Sequence, residues 1–428
     1  MGAGIAGQVA NAGTEVWLLD LPSNGEDVNI LSAKGLERLK DPDMPGLMSE
    51  EAEKLINLGN TRDHFHELED CDWIAEAVVE RLDIKQALYR RLNDTCKEST
   101  IITSNTSTIP IRLLTEDMPT EFCERFAITH FFNPVRFMRL LELVRGEFTR
   151  DDVINTLDVF SEINLGKGVV SCSDTPGFLA NRVGVFAIQC ALHNAFDLKL
   201  SPTEADAFFG RPLGLPKTGV FGLYDLIGID LMADVVKSLV SILPENDAFH
   251  NYSAPIDFMT NMIANGQTGN KNEKGFYKQD GDERKVINLS NGEYIQHERL
   301  KAPLLDMAEK NGLSVILNDT GHYGIYIWRV LSETLCYAAS LVPEVTEDLT
   351  QIDDAMKLGY NWAKGPFELL DEIGIEYFVD RVKSDGRDVP SFLLNNQSSK
   401  FYNGSESGLN FLGADGNTKP IVRSSGVL

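Results

Sequence analysis

Met1-Gly2-Ala3-Gly4-Ile5-Ala6-Gly7-Gln8-Val9-Ala10-Asn11-Ala12-Gly13, followed by Thr14-Glu15-Val16-Trp17-Leu18-Leu19-Asp20, is the stretch that decides how this chain folds. The small and apolar residues make a helix that Gly13 stops, and the next apolar run is a buried strand ending in an acid. In a doubly wound sheet an acid at such a strand end takes ribose hydroxyls, while the helix N-terminus faces a pyrophosphate. Asp20 is followed by Leu21 and Pro22 with no arginine nearby, which favours NAD over NADP.

Gly2-Ala3-Gly4-Ile5-Ala6-Gly7 matches G-x-G-x-x-G literally, but that fingerprint belongs about twenty residues before the acid and opens a helix of several turns. Started at Gly2, it leaves only Gln8 to Ala12 for the helix. With Gly2 as the third glycine, the helix runs from Ala3 to Ala12, and two glycines and the first strand are absent. Either way nothing precedes Met1 to form a first strand, so the chain is expected to be truncated at its N-terminus.

Working outward, strand and helix signals alternate as far as residue 172. Trp73 to Glu80 reads as a buried strand, Asp83 to Cys96 as a helix with Ile84, Ala87, Leu88 and Leu92 on one face, and Thr100 to Ser107 as a strand ending in a polar loop. Arg125-Phe126-Ala127-Ile128-Thr129-His130-Phe131-Phe132-Asn133-Pro134 then delivers a histidine at the polar end of an apolar strand. A second apolar run, Leu140-Leu141-Glu142-Leu143-Val144, offers a carboxylate twelve residues after it. A carboxylate bonded to one imidazole nitrogen fixes the tautomer and raises the basicity of the other, as a general base near neutral pH requires. Alternating strands and helices indicate a mostly parallel sheet that binds ligands at the carboxyl ends of its strands. Asp20, Glu80, Ser107 and His130 all fall at such ends.

Composition excludes several partners. The chain has 428 residues, 43% of them hydrophobic, and a formal net charge of −25, with no basic stripe to attract nucleic acid or an anionic membrane. No apolar run approaches a membrane span, and no signal peptide is present, so the expectation is a soluble, cytoplasmic protein or one whose targeting segment was lost with the missing start. Cys71, Cys96, Cys123, Cys172, Cys190 and Cys336 are scattered without C-x-x-C pairs, so neither a zinc ribbon nor a disulfide framework is expected. His64 and His66, without nearby cysteines, alternate as on an exposed strand or loop, and no metal site is expected.

From Asp174 the pattern becomes helical and repeats itself. Ala205-Asp206-Ala207 with Lys217-Thr218-Gly219-Val220-Phe221-Gly222-Leu223-Tyr224-Asp225-Leu226-Ile227-Gly228 recurs as Asp353-Asp354-Ala355 with Lys364-Gly365-Pro366-Phe367-Glu368-Leu369-Leu370-Asp371-Glu372-Ile373-Gly374. Asp319-Thr320-Gly321-His322-Tyr323 echoes Asp174-Thr175-Pro176-Gly177-Phe178. The expected organisation is a Rossmann-like α/β domain over 1–172, two related all-α domains over 173–285 and 286–384, and a polar tail over 385–428. The polar stretch from Gly266 to Arg299 is expected to join the copies. Such a duplication is expected to replace homodimerisation by placing both halves of a two-fold interface on one chain.

Ser104-Asn105-Thr106-Ser107, His130-Phe131-Phe132-Asn133-Pro134, Glu142 and Thr175-Pro176-Gly177-Phe178-Leu179-Ala180-Asn181-Arg182, in this order and spacing, resemble the 3-hydroxyacyl-CoA dehydrogenases of fatty-acid β-oxidation. The resemblance covers residues 1 to 380, and is to the multifunctional form with a duplicated helical domain beside an enoyl-CoA hydratase module. It implies NAD-dependent oxidation of (3S)-3-hydroxyacyl-CoA to 3-ketoacyl-CoA, with His130 as base and Glu142 orienting it. Ser107 and Asn181 would bond the substrate oxygens. Met1, Gly2, Asp20, Val78, Val79, Glu80, Lys85, Ser107 and Asn133 would contact the cofactor. Lys85 by itself reads as a solvated helix residue. No hydratase module follows, a thiolase or hydratase partner is implied, and the second helical copy lacks a clear counterpart of Asn181. Rival expectations are a dehydrogenase of a free β-hydroxy acid and an inactive scaffold.

Overall fold

The computed structural model describes residues 1–397, 399–405 and 408–421, the side chains of 309, 311 and 405 apart. It divides into two compact units, Met1–Phe178 and Leu179–Ile421.

The first unit opens with helix α1 (Gly2–Asn11), strand β1 (Val16–Asp20), α2 (Ile30–Arg38) and β2 (Ile56–Asn60). It continues with β3 (Trp73–Glu76), α3 (Leu82–Thr95), β4 (Ile101–Ser104), β5 (Phe126–Phe131), β6 (Leu140–Arg145), α4 (Asp151–Val159) and β7 (Gly168–Cys172). β3 to β7 form a five-stranded sheet in sequence order, parallel except where β6 turns back on β5. β1 and β2 form a separate parallel pair.

All three glycines of the literal G-x-G-x-x-G lie inside α1. A Cβ on Gly4 would stand 2.9 Å from Val135, and one on Gly7 2.9 Å from Leu39. Those two glycines let the helix pack closely; they build no phosphate loop. The apolar residues of α1 divide between two cores: Ala6 and Ala10 pack with Leu18, Leu36 and Ile56, whereas Ile5 and Val9 pack with Phe131, Val135 and Leu141. α1 therefore ties the two sheets together.

Between the sheets the edges of β1 and β3 have no strand partner among the described residues. A cavity of about 1610 Å³ opens there, lined by Val16, Leu18, Trp73, Ala75 and, from flanking elements, Leu92 and Leu157. The open edge explains one departure from expectation. Trp73 to Glu80 was to be a buried strand, but β3 stops at Glu76, and Trp73, Ile74 and Ala75 are only half buried. The remaining residues turn out as a loop, with the Val78 amide donating to the Glu76 carboxylate.

The second unit carries the repeat. Its first copy contains α5 (Ala180–Asp197), α6 (Pro202–Phe208), α7 (Gly219–Ile227) and an antiparallel sheet of β8 (Tyr277–Asp280), β9 (Glu283–Ile287) and β10 (Tyr294–Gln296). After α8 (Pro303–Asn311), the second contains α9 (His322–Ser340), α10 (Leu349–Tyr360), α11 (Pro366–Ile373) and a sheet of β11 (Tyr402–Ser405), β12 (Gly408–Leu412) and β13 (Thr418–Pro420).

Buried and half-buried carboxylates hold both copies in the same way. Asp206 accepts bonds from the Phe221 and Gly222 amides and the Tyr277 hydroxyl, and Asp225 accepts from the Phe276 and Tyr277 amides. Asp353 accepts from the Phe367 and Glu368 amides and the Tyr402 hydroxyl, and Asp371 from the Phe401 and Tyr402 amides. The polar stretch expected as a connector, Gly266 to Arg299, thus carries the sheet of the first copy. The residues expected as a tail carry that of the second. The copies extend past 285 and 384: the first copy's sheet runs on through β9 to β10, and the whole sheet of the second copy lies beyond 384.

Candidate active site

β5 and β6 pair antiparallel with His130 directly opposite Glu142, in a register that runs from Ala127↔Arg145 to Phe131↔Leu141. His130 is 5% exposed and Glu142 0%, and His130 Nδ1 lies 2.7 Å from Glu142 Oε2. The Cys172 thiol, on the next strand, lies 3.8 Å from the other carboxylate oxygen. A carboxylate on Nδ1 leaves Nε2 as the nitrogen that can take a proton. The rings of Phe132 and Phe178 stand 4.6 and 6.0 Å from the imidazole and form an apolar wall.

A second cluster forms where β3 and β4 end. Glu76, at the last position of β3, accepts from Lys85 Nζ at 2.8 Å, the Tyr89 hydroxyl at 2.6 Å and the Ser104 hydroxyl at 2.7 Å. Lys85 also lies 3.3 Å from Glu80. Glu80 accepts from the Thr106 hydroxyl, the Ser107 amide at 3.1 Å and the Thr108 hydroxyl at 3.1 Å. Burial opposes ionisation of Glu80, but Thr106 and then Lys85 hold its carboxyl below its usual range. Burial, with the Glu76 carboxylate beside it, pushes the Tyr89 phenol well above its ordinary value, so it stays a donor.

Val78, Glu80, Lys85 and Ser107 are therefore brought together, and Lys85 is not solvated: its side chain is 1% exposed. Glu76 and Tyr89 were not singled out from the sequence, and Ser104 and Thr106 stood there only within a motif, with no role given to them. The available signal was the run of polar residues at the end of β4, together with a lysine in the first turn of an otherwise amphipathic helix. Asn105 belongs with them, since its side-chain oxygen accepts from the Phe131 amide at 2.8 Å and ties the end of β4 to β5.

Lys167, also missed, is 3% exposed and donates to the carbonyls of Val135 and Met138, the latter at 2.8 Å. Desolvation lowers its pKa to about 8. It pins the loop that carries Asn133 past the end of β5. Asn133 is exposed and, with Met1, Gly2, Val78 and Val79, lines the mouth of the cavity that reaches Asp20. Asp20 is exposed at the end of β1. Asn181 belongs to the second unit, in the first turn of α5, where its side-chain oxygen accepts from the Tyr360 hydroxyl at 3.5 Å. His64 accepts from the Asn60 amide at 3.3 Å and lies tilted against Trp17, ring centroids 5.9 Å apart, while His66 pairs with Glu67. No group among the described residues could hold a metal ion.

The donor set fits a dinucleotide. Asp20 offers a carboxylate to a ribose diol, α1 presents an N-terminus without a side-chain cap, and Val78 and Val79 are 38% and 60% exposed beside it. A doubly wound sheet with such a set at its carboxyl ends defines a dinucleotide-binding α/β protein. The comparisons make this specific. Residues 1–175 match the 3-hydroxyacyl-CoA dehydrogenase NAD binding domain, and residues 177–279 and 324–390 match the C-terminal domain of the same family. The chain belongs to the 3-hydroxyacyl-CoA dehydrogenase family.

Among its relatives, a Rickettsia felis protein named as a fatty acid oxidation complex trifunctional enzyme is 40% identical over 375 residues, covering 86% of this chain and 51% of its own. A Bacillus subtilis protein named as a 3-hydroxyacyl-CoA dehydrogenase is 31% identical over 425 residues, covering 94% of this chain and 54% of its own. The chain spans about half the length of the curated relatives it matches first. The crystal structure of 3-hydroxybutyryl-CoA dehydrogenase from Escherichia coli K12 shares the fold, with a TM-score of 0.68 at 22% identity over 93% of this chain and 96% of that one.

Proposed function

We propose that this chain oxidises the 3-hydroxyl of a (3S)-3-hydroxyacyl-CoA to a 3-ketoacyl-CoA, using NAD, within fatty-acid β-oxidation. The observation that carries the reading is the buried His130–Glu142 pair, 2.7 Å apart and held by strand register. Nε2 of His130 takes the hydroxyl proton as the carbonyl forms, and Glu142 fixes the ring and stabilises the imidazolium. Ser107 and Asn181 bond the substrate oxygens. When bound, the oxidised nicotinamide supplies the acceptor for the hydride that leaves C3. Asp20 holds the ribose diol, the N-terminus of α1 with Met1 and Gly2 faces the pyrophosphate, and Val78, Val79, Glu80, Lys85 and Asn133 complete the cofactor's surroundings.

The names of the relatives support a thioester over a free β-hydroxy acid, and the trifunctional name supports assembly with a hydratase or thiolase. Six free cysteines support a reducing compartment, and with it a cytoplasmic reaction. No helix among the described residues is long and apolar enough to cross a membrane.

The test is NADH formation by the purified chain from a 3-hydroxyacyl-CoA and from the matching free acid, each with wild type and His130→Gln. The expected result is turnover of the thioester alone, lowered by about two orders of magnitude or more in the variant, the usual range for losing a general base. Equal use of the free acid, or unchanged turnover in the variant, overturns the reading.

A further inference from the structure

The second unit holds a cavity of about 1000 Å³ among its first copy, the segment joining the copies, and its second copy. Its walls carry a concentration of cations that is out of keeping with a chain of net charge −25. Arg211 and Lys217 come from the loop before α7, Arg284 from β9, Arg299 and Lys301 from the joining segment, and Lys364 from the turn before α11. Lys217 and Lys364 occupy equivalent places in the two copies, each at the entry to the helix whose amides bond the buried aspartate. The backbone brings them together, since the Ala363 amide donates to the Gly214 carbonyl at 2.7 Å. The duplication therefore aims two copies of one lysine into one cavity.

Four of these six charges are not spent on ion pairs within the protein. Lys364 pairs with Glu372 at 2.8 Å, and Arg284 stacks over Tyr277 at 4.3 Å. Among the described residues, Arg211, Lys217, Arg299 and Lys301 have no ion-pair partner. The carboxylates in the lining do not offset them: Asp206 is taken by its three donors, Glu372 by Lys364, and Asp306 alone remains. Like charges gathered around a concave site repel one another, and low-dielectric walls focus their field on whatever enters. Guanidinium groups match phosphate oxygens in a bidentate way, and ammonium groups add point charge. The apolar floor of Pro212, Leu213, Ala302, Leu305 and Leu369 gives a ligand a surface to cover, and the volume lies at the upper end of the roughly 300–1,000 Å³ usual for small-molecule sites.

We propose that this cavity between the helical copies binds a small-molecule polyphosphate of nucleotide size, at a site separate from the cofactor cleft of the first unit. The site does not depend on the dehydrogenase reading. Two sources share that chemistry, a nucleotide's phosphates and free inorganic polyphosphate, and they are told apart by probing with ATP and with inorganic pyrophosphate.

The experiment is calorimetric titration of the full chain with each probe at low salt, with and without saturating NAD, in wild type and in Lys217→Gln/Arg299→Gln. Binding in wild type that persists with NAD present, and weakens at least about tenfold in the double variant and again with added salt, is expected from the loss of two solvent-exposed cations that face the ligand. The charge-keeping Lys217→Arg should bind like wild type. ATP binding far more tightly than pyrophosphate supports a nucleotide; equal binding supports the phosphates alone. Absence of binding, displacement by NAD, or equal affinity in the double variant overturns the proposal. If the double variant fails to fold, the single Lys217→Gln and Arg299→Gln chains carry the same test.

Discussion

His130 and Glu142 face each other in a ladder flanked by β4 on one side and β7 on the other, whereas Asp20 ends a strand that, among the described residues, is paired on one side only. In the five-stranded sheet, register alone sets the imidazole against its carboxylate, since a slip by one residue would turn every side chain to the opposite face. In the β1–β2 pair, position depends on α1, which bridges the two cores, and on whatever occupies the edges facing the cavity. The half of the site proposed to handle the proton is therefore preorganised by backbone, and the half proposed to hold the cofactor is held through side-chain packing. The difference can be tested at several places.

The largest effect is expected at Glu76. Removing it by Glu76→Ala leaves Lys85 buried without its main partner, a loss that typically costs about 3–5 kcal/mol. Chemical denaturation should show it, and a stability within about 1 kcal/mol of wild type would mean that Glu80 can hold Lys85 unaided. Next comes Glu142→Gln, which keeps the shape of the side chain but not the charge. We expect turnover to fall roughly a hundredfold, about 2.7 kcal/mol in the barrier, with the melting temperature little changed. Near-normal turnover would reduce Glu142 to a packing role.

On the weaker side of the comparison, extending the chain upstream by roughly ten residues, as an apolar strand ending in two glycines, should fill the cavity between β1 and β3. Each buried backbone group that gains a partner is worth about 1–3 kcal/mol gross, so a higher melting temperature and tighter NAD binding are expected. Equal values for both chains would show that the sheets need no strand between them. Asp20→Ala should then weaken NAD binding by about tenfold, near 1.4 kcal/mol, and penalise NADP less than wild type does. An unmutated protein that prefers NADP would remove Asp20 from its role.

The smallest effect at neutral pH concerns Lys167. Its folded pKa, near 8, lies below its ordinary value, so charging it costs the folded state at all lower pH. That cost is relieved as pH rises from about 8 toward 10.5, where the unfolded chain also loses its proton. The neutral amine keeps two N–H donors, enough for the Val135 and Met138 carbonyls. Wild-type stability relative to Lys167→Met should therefore grow over that window. A flat difference would mean that Lys167 stays charged when folded.

Much of the first unit was legible because its strands carry their own signals. Ile101 to Ser104, Phe126 to Phe131 and Leu140 to Arg145 are short apolar runs with polar ends, and His130 and Glu142 stood out because a charged residue interrupts each run. The network around Glu76 was harder to read, because Tyr89 and Lys85 look like ordinary residues of a surface helix until that helix packs against the ends of β3 and β4. The small sheets of the second unit were missed for a different reason. β8 to β10 and β11 to β13 are short, polar and rich in turns, and what fixes them is the bonding of Phe276, Tyr277, Phe401 and Tyr402 amides to aspartates far off in sequence. No local pattern of hydrophobicity reports a contact of that kind.

The packing of α5 against α9 has a consequence for dilution. Arg182, on α5, is almost wholly buried; it donates to the Tyr337 hydroxyl on α9 at 3.2 Å, lies 3.2 Å from Glu344, and pairs with Asp247. A contact of that quality between separate subunits would have a dissociation constant and would come apart as protein concentration fell. Between two halves of one chain it is governed by an effective concentration set by the connecting segment. The fold of the second unit should accordingly be indifferent to how much of the protein is present.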